Sequence, residues 1–149
     1  MKLNTGITLD TLNPQFRENV KRWAAAVEAA YPQFEVRVTS ARRTAQQQNA
    51  LFRQNSPQRW VTNCDGVRDL SMHQYGLAVD IVLVRRSTGT LDWKQQTYRT
   101  VYAHVQPGQF GLETIPQEMV HLQMAGSQAR YSGGRLSPAY CRQLKLVVS

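Results

Sequence analysis

Long apolar runs are missing from this chain. No stretch of its 149 residues is hydrophobic enough to cross a bilayer, and the mean hydropathy is −0.46, so stable membrane insertion is not expected. Cysteine is nearly absent. Cys64 and Cys141 lie far apart without a paired CxxC spacing, which excludes a disulfide scaffold and a cysteine-rich structural metal site. Two free thiols in a reducing compartment are the expectation. The opening Met1-Lys2-Leu3-Asn4-Thr5-Gly6 has no apolar signal-peptide core, so the chain is expected to stay in the cytoplasm where it is made. Negative charge is also in short supply: 10 Asp and Glu face 18 Lys and Arg, a formal net charge of +8. That favours polyanionic partners such as a cell-wall polymer or a membrane surface. The cations are scattered, with no basic helix and no basic strand interleaved with aromatics, so no nucleic-acid partner is expected. No internal repeat or linker is visible, and residues 1–149 read as one domain, expected to be a monomer.

What is present is a sequence of local signals. Asn13-Pro14 reads as an N-cap followed by proline at the first helical position. Phe16, Val20, Trp23, Ala24, Val27 and Tyr31 then recur at helical spacing up to Pro32. Residues 34–39 alternate as a half-buried strand, and Thr44 is placed to cap a second helix through Phe52. Residues 53–70 read as loop, with turns at Ser56-Pro57 and Asp65-Gly66. Leu77 to Val84 is an almost unbroken apolar run, expected as a central strand buried on both faces. Trp93, Tyr98, Val101, Tyr102 and Val105 suggest a third helix, residues 119–124 a short strand, and residues 144–148 a strand-like tail. The arginine-containing segment from Ser127 onward reads as a solvated face. Trp23 is expected as core; Trp60 and Trp93 flank the motif region and are read as core, with the border of a groove as the alternative, and His104 as a solvent-facing helical residue.

One charge interrupts the apolar run, Asp80. A carboxylate in the middle of a buried strand is costly unless paired or metal-bound. Ahead of it lies Ser71-Met-His73-Gln-Tyr-Gly76, and some forty residues later comes Glu118-Met-Val-His121. Two imidazoles and a carboxylate are the ligand types of a catalytic zinc, which uses three protein ligands and keeps a fourth position for water. His73, Asp80 and His121 are therefore the candidate metal ligands, with Glu118 as a general acid/base. Parity is an obstacle. His73 and Asp80 are an odd number of residues apart, as are Glu118 and His121, so neither pair shares one face of a regular strand. The site requires His73 in a loop that folds back at Gly76, and Glu118 at a strand entrance near Pro116.

These residues carry a resemblance. Ser71, His73 and Asp80, with Gly76 and Ala78, match the S-x-H-x-x-x-x-x-x-D signature of the M15 family of zinc peptidases. Glu118 and His121 match its E-x-x-H element, and Ser40, Arg43, Thr44 and Gln48 match its upstream S-x-x-R-T-x-x-x-Q element, in the family's order. The resemblance covers roughly residues 10–125. It implies a single α+β domain with helices packed on a small antiparallel sheet, the hedgehog/DD-peptidase-like fold, together with a zinc cofactor and hydrolysis of the peptide stem of bacterial peptidoglycan. Arg43 is the candidate for gripping a substrate carboxylate, with Ser71, Ser40 and Gln48 as further substrate-binding candidates. The family includes phage L-alanyl-D-glutamate endopeptidase endolysins and D-alanyl-D-alanine carboxypeptidases. The expectation is the endolysin, held in the host cytoplasm until the inner membrane is permeabilised. The alternatives are the carboxypeptidase and a non-catalytic, zinc-containing wall-binding module. The chain departs from common family forms at Met119-Val120 and at Gly111-Leu-Glu113-Thr.

Overall fold

The computed structural model describes residues 1–148. Asn13 caps the first helix: its side chain accepts from the Phe16 amide at 3.0 Å, Pro14 fills N1, and α1 runs Pro14–Ala30. Its apolar stripe is fully inside. Phe16, Val20, Trp23, Ala24 and Val27 have no accessible surface, and the Trp23 indole N–H donates to the Val105 carbonyl at 3.1 Å. Burying each large apolar side chain of this kind contributes about 1.5–3 kcal/mol.

The helix packs on a six-stranded sheet. β1 is Lys2–Leu3, β2 Phe34–Ser40, β3 Ala78–Arg85, β4 Leu91–Asp92, β5 Leu112–Ile115 and β6 Glu118–Met124. The order is β1-β2-β3-β6-β5, with β4 pairing the far end of β3. As expected, β3 is central and almost entirely buried. The sheet is not wholly antiparallel: the short β1 runs parallel to β2. Helix α2, Ala45–Phe52, begins with a reciprocal capping box between Thr44 and Gln47, and α3 spans Gln95–His104.

The tail departs from its expected form. Residues 144–148 do not form a strand. The small hairpin of β7, Tyr131–Ser132, and β8, Arg135–Leu136, leads into a helix α4, Pro138–Leu144. The Ser137 hydroxyl accepts from the Tyr140 amide, Pro138 occupies N1, and Lys145 ends the helix in the left-handed region at φ 54°. The segment is also less solvated than expected, since Ser127, Leu136 and Tyr140 are buried. Trp60 and Trp93 are not core; they are 64% and 56% exposed. His104 faces solvent and meets Tyr31 edge-on.

Asp92 joins the sheet to α3. Its carboxylate, 4% exposed, accepts from the Arg85 guanidinium at 2.7 Å, the Lys94 amide at 2.9 Å and the Thr97 hydroxyl at 3.3 Å. Burial would raise its pKa, but these donors and the Arg85 charge outweigh it and hold the carboxyl below its ordinary value. A carboxyl lowered in the folded state adds stability that is complete above its unfolded pKa of about 3.9 and fades as pH falls through the folded value. Asp92→Asn is therefore expected to cost about 1–3 kcal/mol in chemical denaturation at neutral pH. The difference from wild type should shrink as pH falls below about 4.

Candidate metal centre and catalytic cleft

Asp80 sits on β3 directly opposite His121 on β6, so the two side chains leave the same face of the sheet. His73 arrives from outside the sheet, in the turns of Ser71–Gly76 that precede β3. Gly76, at φ 70°, makes the reversal. A Cβ there would come within 3.2 Å of the Thr11 carbonyl, and the Gly76 carbonyl accepts from the Asn13 amide at 3.0 Å. The histidine loop is thus clamped to the start of α1, which resolves the first parity obstacle.

The second is resolved by a hairpin. Ile115 pairs Glu118 across Pro116-Gln117, whereas Thr114 pairs Leu122, so β6 carries extra residues between Glu118 and His121. Gln117 has φ 69°. Proline followed by a positive-φ residue is the pattern of a type II turn. Glu118 is accordingly the first residue of β6, exposed on the same cleft as His121. A bulge at Thr39 marks β2 where it faces Asp80, and the Thr39 hydroxyl donates to the Asp80 carbonyl at 3.3 Å.

Asp80 Oδ1 lies 3.4 Å from His73 Nε2 and 3.3 Å from His121 Nδ1, and one donor atom from each residue falls within 4.8 Å of the others. In a tetrahedron the edge is about 1.63 times the centre-to-vertex length. The two edges from Asp80 Oδ1 therefore correspond to bonds of about 2.0–2.1 Å, those zinc makes to imidazole nitrogen and carboxylate oxygen. The donor set and its spacing fit a zinc ion. Each imidazole also has its other nitrogen anchored: His73 Nδ1 is 2.7 Å from the Ala41 carbonyl, and His121 Nε2 is 2.9 Å from Gln123 Oε1.

Electrostatics keep Asp80 and His73 in their ligand forms. Burial works to raise the Asp80 pKa, but His73 and His121, which hydrogen-bond to it, and the Arg43 charge hold the carboxyl far below its usual range. His73, almost fully enclosed, is lowered by burial despite Asp80, so it is neutral at pH 7. His121 is raised, because the hydrogen bond and charge of Asp80, with smaller effects from Gln123 and Glu118, outweigh its burial.

Arg43 reaches into this group. It donates to Asp80 Oδ2 at 2.8 Å, to Ser40 Oγ at 3.1 Å and to Gln48 Oε1 at 3.1 Å, leaving two of its five N–H groups without these partners. Ser40 and Gln48 therefore do not line the cleft; both hold Arg43. Gln48 has no accessible surface, and its amide N–H groups reach Thr62 Oγ1 and the Cys64 carbonyl. Ser71 does line the cleft, where its hydroxyl accepts from the His73 amide at 3.2 Å. The cleft, of about 810 Å³, also takes in Trp93, Met119 and Cys64. Both cysteines are free, and burial pushes the Cys64 thiol up. Gln123 and the Ala41 carbonyl are supports that the sequence reading passed over. Gln123 had a usable signal, since position i+2 on a strand shares the face of His121.

No protein-family model matches the chain, and no curated protein matches it in sequence. Its fold is nevertheless that of known peptidoglycan peptidases. A mutant of the vancomycin-resistance D,D-pentapeptidase VanY in complex with Zn(II) aligns with TM-score 0.59 and 20% identity, over 87% of this chain and 79% of that one. The LD-carboxypeptidase LdcB, whose structure addresses peptidoglycan recognition, aligns with TM-score 0.58 and 17% identity, over 87% and 67%. The Serratia marcescens L-Ala D-Glu endopeptidase ChiX gives 0.52 and 18%, over 81% and 86%.

Asp80→Ala is expected to remove stoichiometric zinc binding, measured by equilibrium dialysis with metal analysis. Zinc at a hundredfold excess over its Kd should stabilise the wild-type protein by about 2.7 kcal/mol and leave this variant unchanged.

Proposed function

We propose that the protein is a zinc-dependent peptidase that hydrolyses the peptide stem of bacterial peptidoglycan. The observation that carries this reading is the meeting of His73, Asp80 and His121 at zinc-ligand spacing, with Glu118 on the same open cleft. Zinc bound there would supply a Lewis acid that lowers the pKa of water to about 7 and polarises the scissile carbonyl. The chain's own residues do the rest. Glu118, exposed and acceptor-only when ionised, takes a proton from water and returns it to the leaving amine. Arg43, held by Ser40, Gln48 and Asp80, places a fixed positive charge beside the reacting region, and its remaining N–H groups face the task of holding substrate oxygen. Ser71 keeps the histidine loop in shape. Trp93 and Met119 give the cleft apolar surface for side chains of the stem peptide.

Within that class we favour an L-alanyl-D-glutamate endopeptidase of the phage endolysin type. It would be held in the host cytoplasm and reach the wall once the inner membrane is breached. The fold likeness to ChiX supports the bond, and the net charge of +8 suits an anionic wall. The likeness to VanY and LdcB supports a second reading, a carboxypeptidase that removes the terminal D-alanine.

Glu118→Gln is expected to bind zinc as wild type while its rate on purified peptidoglycan falls about 10²- to 10⁴-fold. Mass spectrometry of the released fragments separates the two readings. New amino-terminal D-glutamate means the endopeptidase, and free D-alanine means the carboxypeptidase. A Glu118→Gln enzyme with undiminished turnover would remove Glu118 from the chemistry.

A further inference from the structure

Gln128 stands on the wall of the cleft, in the turn that follows β6, and its side chain is exposed. It is nevertheless held at two points. Its backbone N–H donates to Glu113 Oε1 at 2.9 Å, and its side-chain Oε1 accepts from Gln123 Nε2 at 3.3 Å. A side chain fixed before a ligand arrives has less entropy to lose on binding.

The buried partners also decide which end of the Gln128 carboxamide faces outward. Oxygen and nitrogen exchange places when a carboxamide is turned over, so its hydrogen-bond partners set the assignment. Gln123 is 1% exposed, and its Nε2 donates to Glu113 Oε1 at 2.9 Å as well as to Gln128. Glu113 also accepts from the amides of Gln128 and Gly126, each at 2.9 Å, and from the Ser127 hydroxyl at 3.3 Å. Burial pulls its pKa up, but these donors hold it below the ordinary glutamate value, so at neutral pH it only accepts. An acceptor at Glu113 demands the N–H groups of Gln123 on that side, and the second of them demands an oxygen from Gln128. Turning Gln128 over would set N–H against N–H and leave a buried donor without a partner. Its oxygen is therefore committed inward. The two Nε2–H groups have no acceptor among the described residues and are left to the cleft.

A free carboxamide N–H₂ takes an oxygen acceptor. The Glu113 charge, hydrogen-bonded to the Gln128 amide, opposes a second anion at this place and favours an uncharged oxygen. In a peptide that oxygen is a main-chain carbonyl. Glu118 opens β6 and Gln128 follows its other end, so a chain lying between them passes His121. We propose that Gln128 is a specificity-determining residue that donates its carboxamide N–H groups to a main-chain carbonyl of the stem peptide. This rests on the reading of the cleft as the stem-peptide site.

The test compares Gln128→Glu with wild type on a soluble stem peptide. Glutamate keeps an oxygen for Gln123 Nε2 but has nothing to donate into the cleft. KM should rise about 3- to 10-fold with kcat within about twofold, and zinc affinity and melting temperature should match wild type. An unchanged KM overturns the proposal, and so does a loss confined to kcat. The same KM ratio is expected for a peptide whose carboxylates are amidated. A ratio that collapses to one there assigns the contact to a carboxylate and overturns the neutral acceptor. Should Gln128→Glu unfold or lose zinc, zinc-loaded, ¹⁵N-labelled Glu118→Gln protein decides the matter. Its Gln128 side-chain N–H₂ signals should move as the peptide is added, and signals that stay in place overturn the proposal. A wild type that binds the peptide without cutting it counts against the proposed function instead, and the same titration still decides the part of Gln128.

Discussion

The structure around the cleft depends on one carboxylate in an expensive place. Asp80 interrupts a strand whose neighbours Val79, Ile81 and Val82 are buried, and a lone charge there would destabilise the sheet. It is compensated from three directions, by His73 from the preceding loop, His121 from the adjacent strand and Arg43 from the segment between β2 and α2. Each partner comes from a different stretch of chain, so satisfying Asp80 requires those stretches to meet. The same convergence places two imidazole nitrogens and a carboxylate oxygen at the spacing of a tetrahedral ion.

The supports around these groups are mostly buried carboxamides. Gln48 orients Arg43, Gln74 bridges the Ser71 amide and the Gly66 carbonyl, and Gln123 orients His121. All three are essentially inaccessible to solvent. Carboxamides suit this role because they donate and accept at once without adding charge beside a cation site. Each is hydrogen-bonded at both its oxygen and its nitrogen, which lets a buried polar network fix geometry.

Much of this was legible in the sequence where a local physical rule left one outcome. Asn13-Pro14 announced α1, Thr44 announced α2, and a single carboxylate in an apolar run marked β3 and its function together. The parity conflicts were informative too, since they required the loop reversal at Gly76 and the turn at Pro116-Gln117. What failed did so for identifiable reasons. Ser137-Pro138 carries the same capping signal as Asn13-Pro14 and opens α4, but the helix has only seven residues, too few for a clear apolar periodicity. Gln48 reads as a substrate-binding candidate and Gln123 carries no reading, because nothing local indicates that a carboxamide will be buried by partners distant in sequence. Average burial favours core for Trp60 and Trp93, yet both are exposed, and Trp93 takes the alternative place on the border of the cleft.

Anomalous diffraction at the zinc absorption edge, on crystals of the purified protein, tests the central claim most directly. The account predicts one strong peak about 2.0–2.1 Å from His73 Nε2, His121 Nδ1 and an Asp80 carboxylate oxygen. A zinc-replete crystal with no peak among these three residues, or with the ion held by other side chains, would contradict it.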